Sequence, residues 1–97
     1  MTTVKIDRYA LTVTASGHAC YDNTGSDIVC AAASMLMYAL NAFARENGGF
    51  AIERPGYMHV ELPAEENDYL FGGFDSICEG LYGLAEEYPE HIVIQRP

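Results

Sequence analysis

Apolar and polar residues alternate over the first sixteen positions of the chain. In Thr2-Thr3-Val4-Lys5-Ile6-Asp7, Val4 and Ile6 fall on one side; in the run 10–16, Leu11, Val13 and Ala15 face one way and Thr12 and Thr14 the other. A period of two marks a half-buried strand, so two strands are predicted, turning through Asp7-Arg8-Tyr9 and ending at Gly17. From residue 28 to about 46 the period changes. Val29, Ala32, Leu36, Leu40 and Phe43 recur at steps of three and four, one apolar helical face, which Met35, Met37 and Tyr38 widen. Asn47-Gly48-Gly49 stops that helix. Residues 50–53 form a short strand, Pro55-Gly56 a turn, and 57–62 a further strand with Met58, Val60 and Leu62 inward and Tyr57, His59 and Glu61 outward. Pro63 ends it, and Glu65-Glu66-Asn67-Asp68 suits a helix N-terminus.

The second predicted helix spans 69–87, with Leu70, Phe74, Ile77, Leu81 and Leu84 on one face. Its Gly72, Gly73, Gly80 and Gly83 each cost about 1 kcal/mol relative to Ala and point to close approach of another backbone. Cys78, inside this helix, reads as buried and inert. Pro89 closes the helix, and 91–96 is a final strand. The order ββαββαβ predicts an α+β fold of two layers, one sheet of four or five strands with both helices on one face. A chain of 97 residues accommodates one domain, 1–97, with a modest core.

Composition narrows the classes. With 49% hydrophobic and 20% charged residues the chain reads as folded and globular. No uninterrupted run of 18 apolar residues occurs, so no transmembrane helix is expected. The N-terminus lacks a basic region followed by an apolar one, which points to the cytoplasm. Three cysteines without paired spacing fit reduced thiols. A net charge of −9 disfavours direct contact with nucleic acid, because no basic patch is present to release counterions. The same acidity has two readings: attraction of a basic protein partner, or solubility alone.

The chemistry concentrates between residues 17 and 34. His18 stands at a strand end, and Cys30 falls just after the N-cap candidates Ser26 and Asp27. With Asp27 as N-cap, Cys30 occupies the third helical position, where the macrodipole favours thiolate over thiol. Nucleophilic thiol chemistry needs that thiolate and an imidazole to exchange its proton. A cysteine in an apolar helix is also commonly a small buried hydrophobe, so packing and nucleophilic readings stand side by side. Ser34, one turn on from Cys30, either hydrogen-bonds in the site or back-bonds to the helix. Residues 19–26 read as a polar loop that gates the approach of His18 to Cys30. A zinc site from His18, Cys20, Cys30, Cys78 or His91 lacks the usual paired spacing. No phosphate-cradling glycine loop is present, so neither a metal nor a cofactor is expected.

Gly17-His18-Ala19, Gly25, Asp27-Ile28-Val29-Cys30-Ala31-Ala32 and Ser34 together resemble the signature of the ribosomal-processing cysteine proteases, small bacterial enzymes alike over nearly their whole length. The stretch Gly80-Leu81-Tyr82-Gly83-Leu84 through Tyr88-Pro89 also resembles that family's second helix. The step of twelve residues from His18 to Cys30 maps these two onto the catalytic dyad. Cys20, a second thiol two residues from His18, departs from the pattern. The resemblance implies a cytoplasmic endopeptidase with Cys30 as nucleophile and His18 as general base and acid. Asp27 would cap the helix, with Gly17, Gly25 and Ser34 in supporting positions and N–H groups at the helix start receiving the oxyanion. It implies as substrate the N-terminal extension of a large-subunit ribosomal protein, and a homodimeric state. The alternative reading is a non-catalytic acidic module that binds a basic ribosomal or assembly protein, with Cys30 merely packed.

Overall fold

The structure, a computed structural model, describes residues 1–17 and 24–97, and for residues 24–27 the backbone alone. Its elements run β1 (Thr2–Asp7), β2 (Thr12–Ser16), α1 (Thr24–Glu46), β3 (Phe50–Arg54), β4 (Tyr57–Glu61), α2 (Asp68–Glu87) and β5 (Ile92–Gln95). The five strands form one sheet in the order β3-β4-β2-β1-β5, antiparallel except for the parallel pair β1–β5. This is the expected two-layer α+β arrangement. The alternation read in the strands sorts the sheet's faces: Val4, Ile6, Val13, Met58, Val60, Leu62 and Ile92 are buried beneath the helices. His59 lies on the opposite face, half-buried, with Thr14 Oγ1 at 2.7 Å from Nδ1 and Glu61 Oε2 at 3.1 Å from Nε2.

Helix α1 departs from its expected face. Its fully buried stripe is Val29, Ala33, Met37, Leu40 and Ala44, while Met35 and Tyr38 are exposed. Leu36 and Phe43 are half-buried and turn towards α2, where Gly80 and Gly73 leave room for them. The helix serves two neighbours, the sheet and α2, and a single apolar face blends both stripes into one. The glycines of α2 correct a second expectation. Gly73 and Gly80 accommodate side chains rather than a backbone, and an added Cβ at Gly72 or Gly83 would meet nothing within 4 Å. Over Ile28–Glu46, α1 also has the length and apolar composition of a membrane-crossing helix. Ser34 and Asn41 interrupt that run, so a search for an unbroken one passes over it.

Helix α2 begins as its sequence indicates. Asn67 is the N-cap, its Oδ1 accepting from the N–H groups of Tyr69 at 2.9 Å and Leu70 at 3.3 Å. Leu70, Phe74, Cys78 and Leu81 are its buried residues, with Ile77 and Leu84 packed at the margin. Burial pushes the Cys78 thiol up to about 11, partly countered by the nearby Arg8 charge.

Gly17 ends β2 in a conformation that only glycine adopts without strain. Its φ is +130°, and a Cβ there would strike the Met1 carbonyl oxygen and the Thr2 backbone. Its N–H donates to the Gly56 carbonyl at 3.0 Å. Gly17, the residue before His18 in the sequence, is therefore held against the start of β1 and the β3–β4 turn.

Gly17→Ala is expected to cost about 2 kcal/mol or more, through strain and backbone collision. Gly83→Ala is expected to stabilise by about 1 kcal/mol, because its site is open and helical; thermal melts of the two variants, moving in opposite directions, check both. The raised Cys78 value carries a pH signature. An unfolded thiol ionises near 9 and the folded one at about 11, so this contribution is intact below pH 9 and lost as pH climbs towards 11. Denaturant titrations across that window should show the stability gap between wild type and Cys78→Ala shrinking, with no such change between pH 6 and 8.

Candidate active site

Helix α1 starts at Thr24, four residues before the predicted first helical residue. Asn23, Thr24, Ser26 and Asp27 all carry capping chemistry, so local sequence offers several starting points and the structure takes an early one. Two expectations change. Asp27 lies in the first turn and is not the N-cap, and Cys30 lies in the second turn, beyond the four N–H groups left unpaired at a helix start. The macrodipole acts mainly within the first turn, so it favours a Cys30 thiolate less than a position nearer the end would allow. The backbone N–H groups able to receive an oxyanion belong to residues 24–27. Gly25 is in that turn; the side chains of residues 24–27 are not described.

Cys30 is half-buried and lines a cavity of about 170 Å³. The cavity lies where the N-terminal half of α1 crosses the ends of β2 and β4. Ala15, Ala33, Met37 and Met58 give it apolar walls, and Ser34 stands beside Cys30. Gly17 lines it from the end of β2. Three of the expected site residues, Gly17, Cys30 and Ser34, thus share one wall system. His18 and Cys20, and residues 19–23 of the expected gate, lie outside the described residues, while Thr24, Gly25 and Ser26 belong to α1 rather than to a loop.

The rim carries residues that the sequence pattern did not assign to the site. Tyr38 donates its hydroxyl to Glu53 Oε2 at 3.1 Å, joining α1 to β3 at the cavity mouth, and Arg54 and Tyr57 complete that side. Hydrogen bonding to Glu53 and the Glu53 charge hold the Tyr38 phenol above its ordinary value. Asn41 Nδ2 approaches Met58 Sδ at 3.8 Å, fixing the thioether from above. The inward alternation of 57–62 identifies Met58 from sequence alone. The Tyr38–Glu53 contact joins a helix to a strand fifteen residues away, and no local pattern encodes it. Cys78, in the core of α2, is absent from the cavity lining, and His59 is on the far face of the sheet. Among the described residues no three His, Cys, Asp or Glu side chains converge as a metal site would require.

Three comparisons bear on this arrangement. The chain matches the family described as cysteine protease Prp over residues 1–93. Among solved structures it is similar to the essential ribosomal processing protease Prp from S. aureus in complex with a substrate peptide, at 25% identity and TM-score 0.81, covering 100% of both chains. The same S. aureus protease with a covalently linked product peptide is similar at 26% identity and TM-score 0.79, again over 100% of both chains. SMU.848 from Streptococcus mutans is similar at 27% identity and TM-score 0.70, over 98% of this chain and 90% of that one. No curated protein matches. With 93 residues matched and a half-buried thiol on the wall of a cavity, the chain belongs to the cysteine protease Prp family and is a cysteine protease.

Proposed function

We propose that this protein removes the N-terminal extension of a large-subunit ribosomal protein, using Cys30 and His18 as a catalytic dyad. The observation that carries this reading is the cavity that Cys30 shares with Gly17, the residue directly before His18 in the chain. The covalently linked product peptide of the S. aureus protease supports a mechanism through a covalent intermediate.

In that mechanism His18 takes the Cys30 proton, and Sγ attacks the scissile carbonyl carbon. The resulting oxyanion is received by N–H groups of the first turn of α1. As the C–N bond breaks, His18 returns the proton to the departing amine and a thioester remains on Cys30. Water, deprotonated by His18, attacks the thioester carbonyl; the C–S bond breaks, and the acid product and the thiol are restored. Ala15, Ala33, Met37 and Met58 suit an apolar side chain beside the cleaved bond. The −9 charge draws a basic precursor towards the cleft. We place this activity in the cytoplasm, with a homodimer as the working state.

The direct test incubates the protein with the extended ribosomal protein from its own source and weighs the products. Cys30→Ser is expected to abolish cleavage while leaving fold and precursor binding intact, because the thiol acts in the chemical step. Alkylation near neutral pH should label Cys30 fast in the native protein, more slowly in His18→Ala, and leave Cys78 unlabelled. Equal, slow labelling at every thiol would mean that Cys30 is packed and not activated. Salt supplies an independent check. If acidity steers the precursor, kcat/KM falls as ionic strength rises to physiological values, where screening sets in over about 8 Å. A flat profile would assign the charge to solubility.

A further inference from the structure

We infer that the open edge of β3 binds the substrate as an added strand, feeding an extended peptide into the Cys30 cavity. This rests on the peptidase reading above and names how its substrate is held.

The hydrogen-bond register shows which backbone groups are available. Gly17 N–H donates to Gly56 O, and Leu62 N–H to Leu11 O, each at 3.0 Å. In the β2–β4 ladder, where Val13 pairs with Val60 and Ala15 with Met58, the even-numbered residues of β4 therefore bond towards β2. Bonding alternates along an antiparallel strand, so Tyr57, His59 and Glu61 bond towards β3. Their partners there are Arg54, Ile52 and Phe50. That leaves the N–H and C=O groups of Ala51 and Glu53 directed away from the sheet. β3 is the terminal strand, and no described strand pairs with its outer side.

An unpaired edge accepts any extended chain through its backbone, so the choice of occupant rests on what adjoins it. Glu53 and Arg54, the last two residues of β3, line the same cavity as Cys30. A peptide paired with Ala51 and Glu53 therefore reaches the cavity that Cys30 lines. The other edge, β5, is separated from β2 by β1 and contributes nothing to that cavity. Side chains of an added strand alternate between two faces. One set lies beside Phe50 and Ile52, exposed at 49% and 40%. The other lies beside the exposed Tyr38 and Glu53, where a carboxylate suits a basic residue. The occupant this edge fits is an extended peptide with apolar residues at alternate positions and a positive charge, consistent with an acidic protein of net charge −9.

The test uses the full chain as Cys30→Ala and a synthetic peptide spanning the precursor's N-terminal extension and its cleavage point. Amide hydrogen exchange at Ala51 and Glu53 is expected to slow at least about tenfold with saturating peptide, the protection of roughly one hydrogen bond each. Ile52, already in the ladder, should not change. In the wild-type background Ala51→Pro, which removes an outward N–H without touching the β4 ladder, should raise KM about tenfold with kcat little changed. Should that variant misfold, N-methylation along the peptide supplies the same reading, with losses expected only at alternate positions. A peptide that wild type cuts while Ala51 and Glu53 exchange unchanged overturns the edge and keeps the peptidase. One that slows their exchange but is never cut keeps the edge and removes the peptidase reading. A peptide neither bound nor cut overturns both. Protection present without peptide and lost on dilution would make the edge a contact between copies of this chain, which also overturns the proposal.

Discussion

How closely α1 can lie on the sheet governs where the Cys30 thiol and its cavity sit. Small residues set that distance: Ala33 and Ala44 are buried in the contact, with Val29, Met37 and Leu40 filling the space between. At the far end of the helix Gly49 lets the chain pass hard against β4, since a Cβ there would strike the Glu61 carbonyl oxygen. Its N–H closes onto the Ala44 carbonyl at 2.7 Å. Close packing ordinarily leaves no void larger than a water molecule. The cavity beside Cys30 persists because Ala15 and Ala33 supply only methyl groups where the sheet ends, while Met37 and Met58 reach in from either side. The cleft is thus a consequence of side-chain size along two elements.

That origin explains which parts could be read from the residues alone. Strand faces were legible, since each inward position of β2 and β4 has a single neighbour layer and the alternation is unmixed. The sheet's partner order was not, because nothing in residues 92–95 says that β5 lies parallel to β1. The helix stripes were legible in period and shifted in phase: Leu36 and Phe43 are as apolar as Met37 and Leu40, and only the presence of α2 separates the two sets. Of the residues lining the cavity, the family signature contains Gly17, Cys30 and Ser34, and alternation turns Met58 inward. The helix start was misplaced because four capping residues occur in five positions from Asn23 to Asp27. Tyr38–Glu53 was invisible for a different reason, being a contact that exists only once α1 crosses β3.

The two described thiols show how position on a helix divides one chemistry into two outcomes. Cys78 sits at a core position of α2, where desolvation holds it as a neutral thiol and it packs as a small hydrophobe. Cys30 sits on the flank of α1 at a sheet end, half-buried and open to a cavity. Residue type alone does not distinguish them; the capping residues before Cys30 do. The distinction lies in what each helix faces at that turn, continuous core for one and the end of the strands for the other.

The two faces of the sheet are unequal in a way that bears on recognition. The inner face is closed by both helices. On the outer face Thr14, His59 and Glu61 satisfy one another across β2 and β4, leaving that patch with its polar groups paired. Apolar side chains exposed on the same face include Phe50 and Ile52 of β3, Tyr57 of β4 and, at the opposite edge, Val93 of β5. Both edge strands thus pair a backbone edge with exposed apolar side chains, and β3 differs in that its last residues line the Cys30 cavity. A protease must hold an extended backbone while reading few side chains, and a strand edge offers main-chain bonding that is indifferent to sequence. The cavity at the end of that strand is small and apolar, and its rim carries one carboxylate and one guanidinium, Glu53 and Arg54.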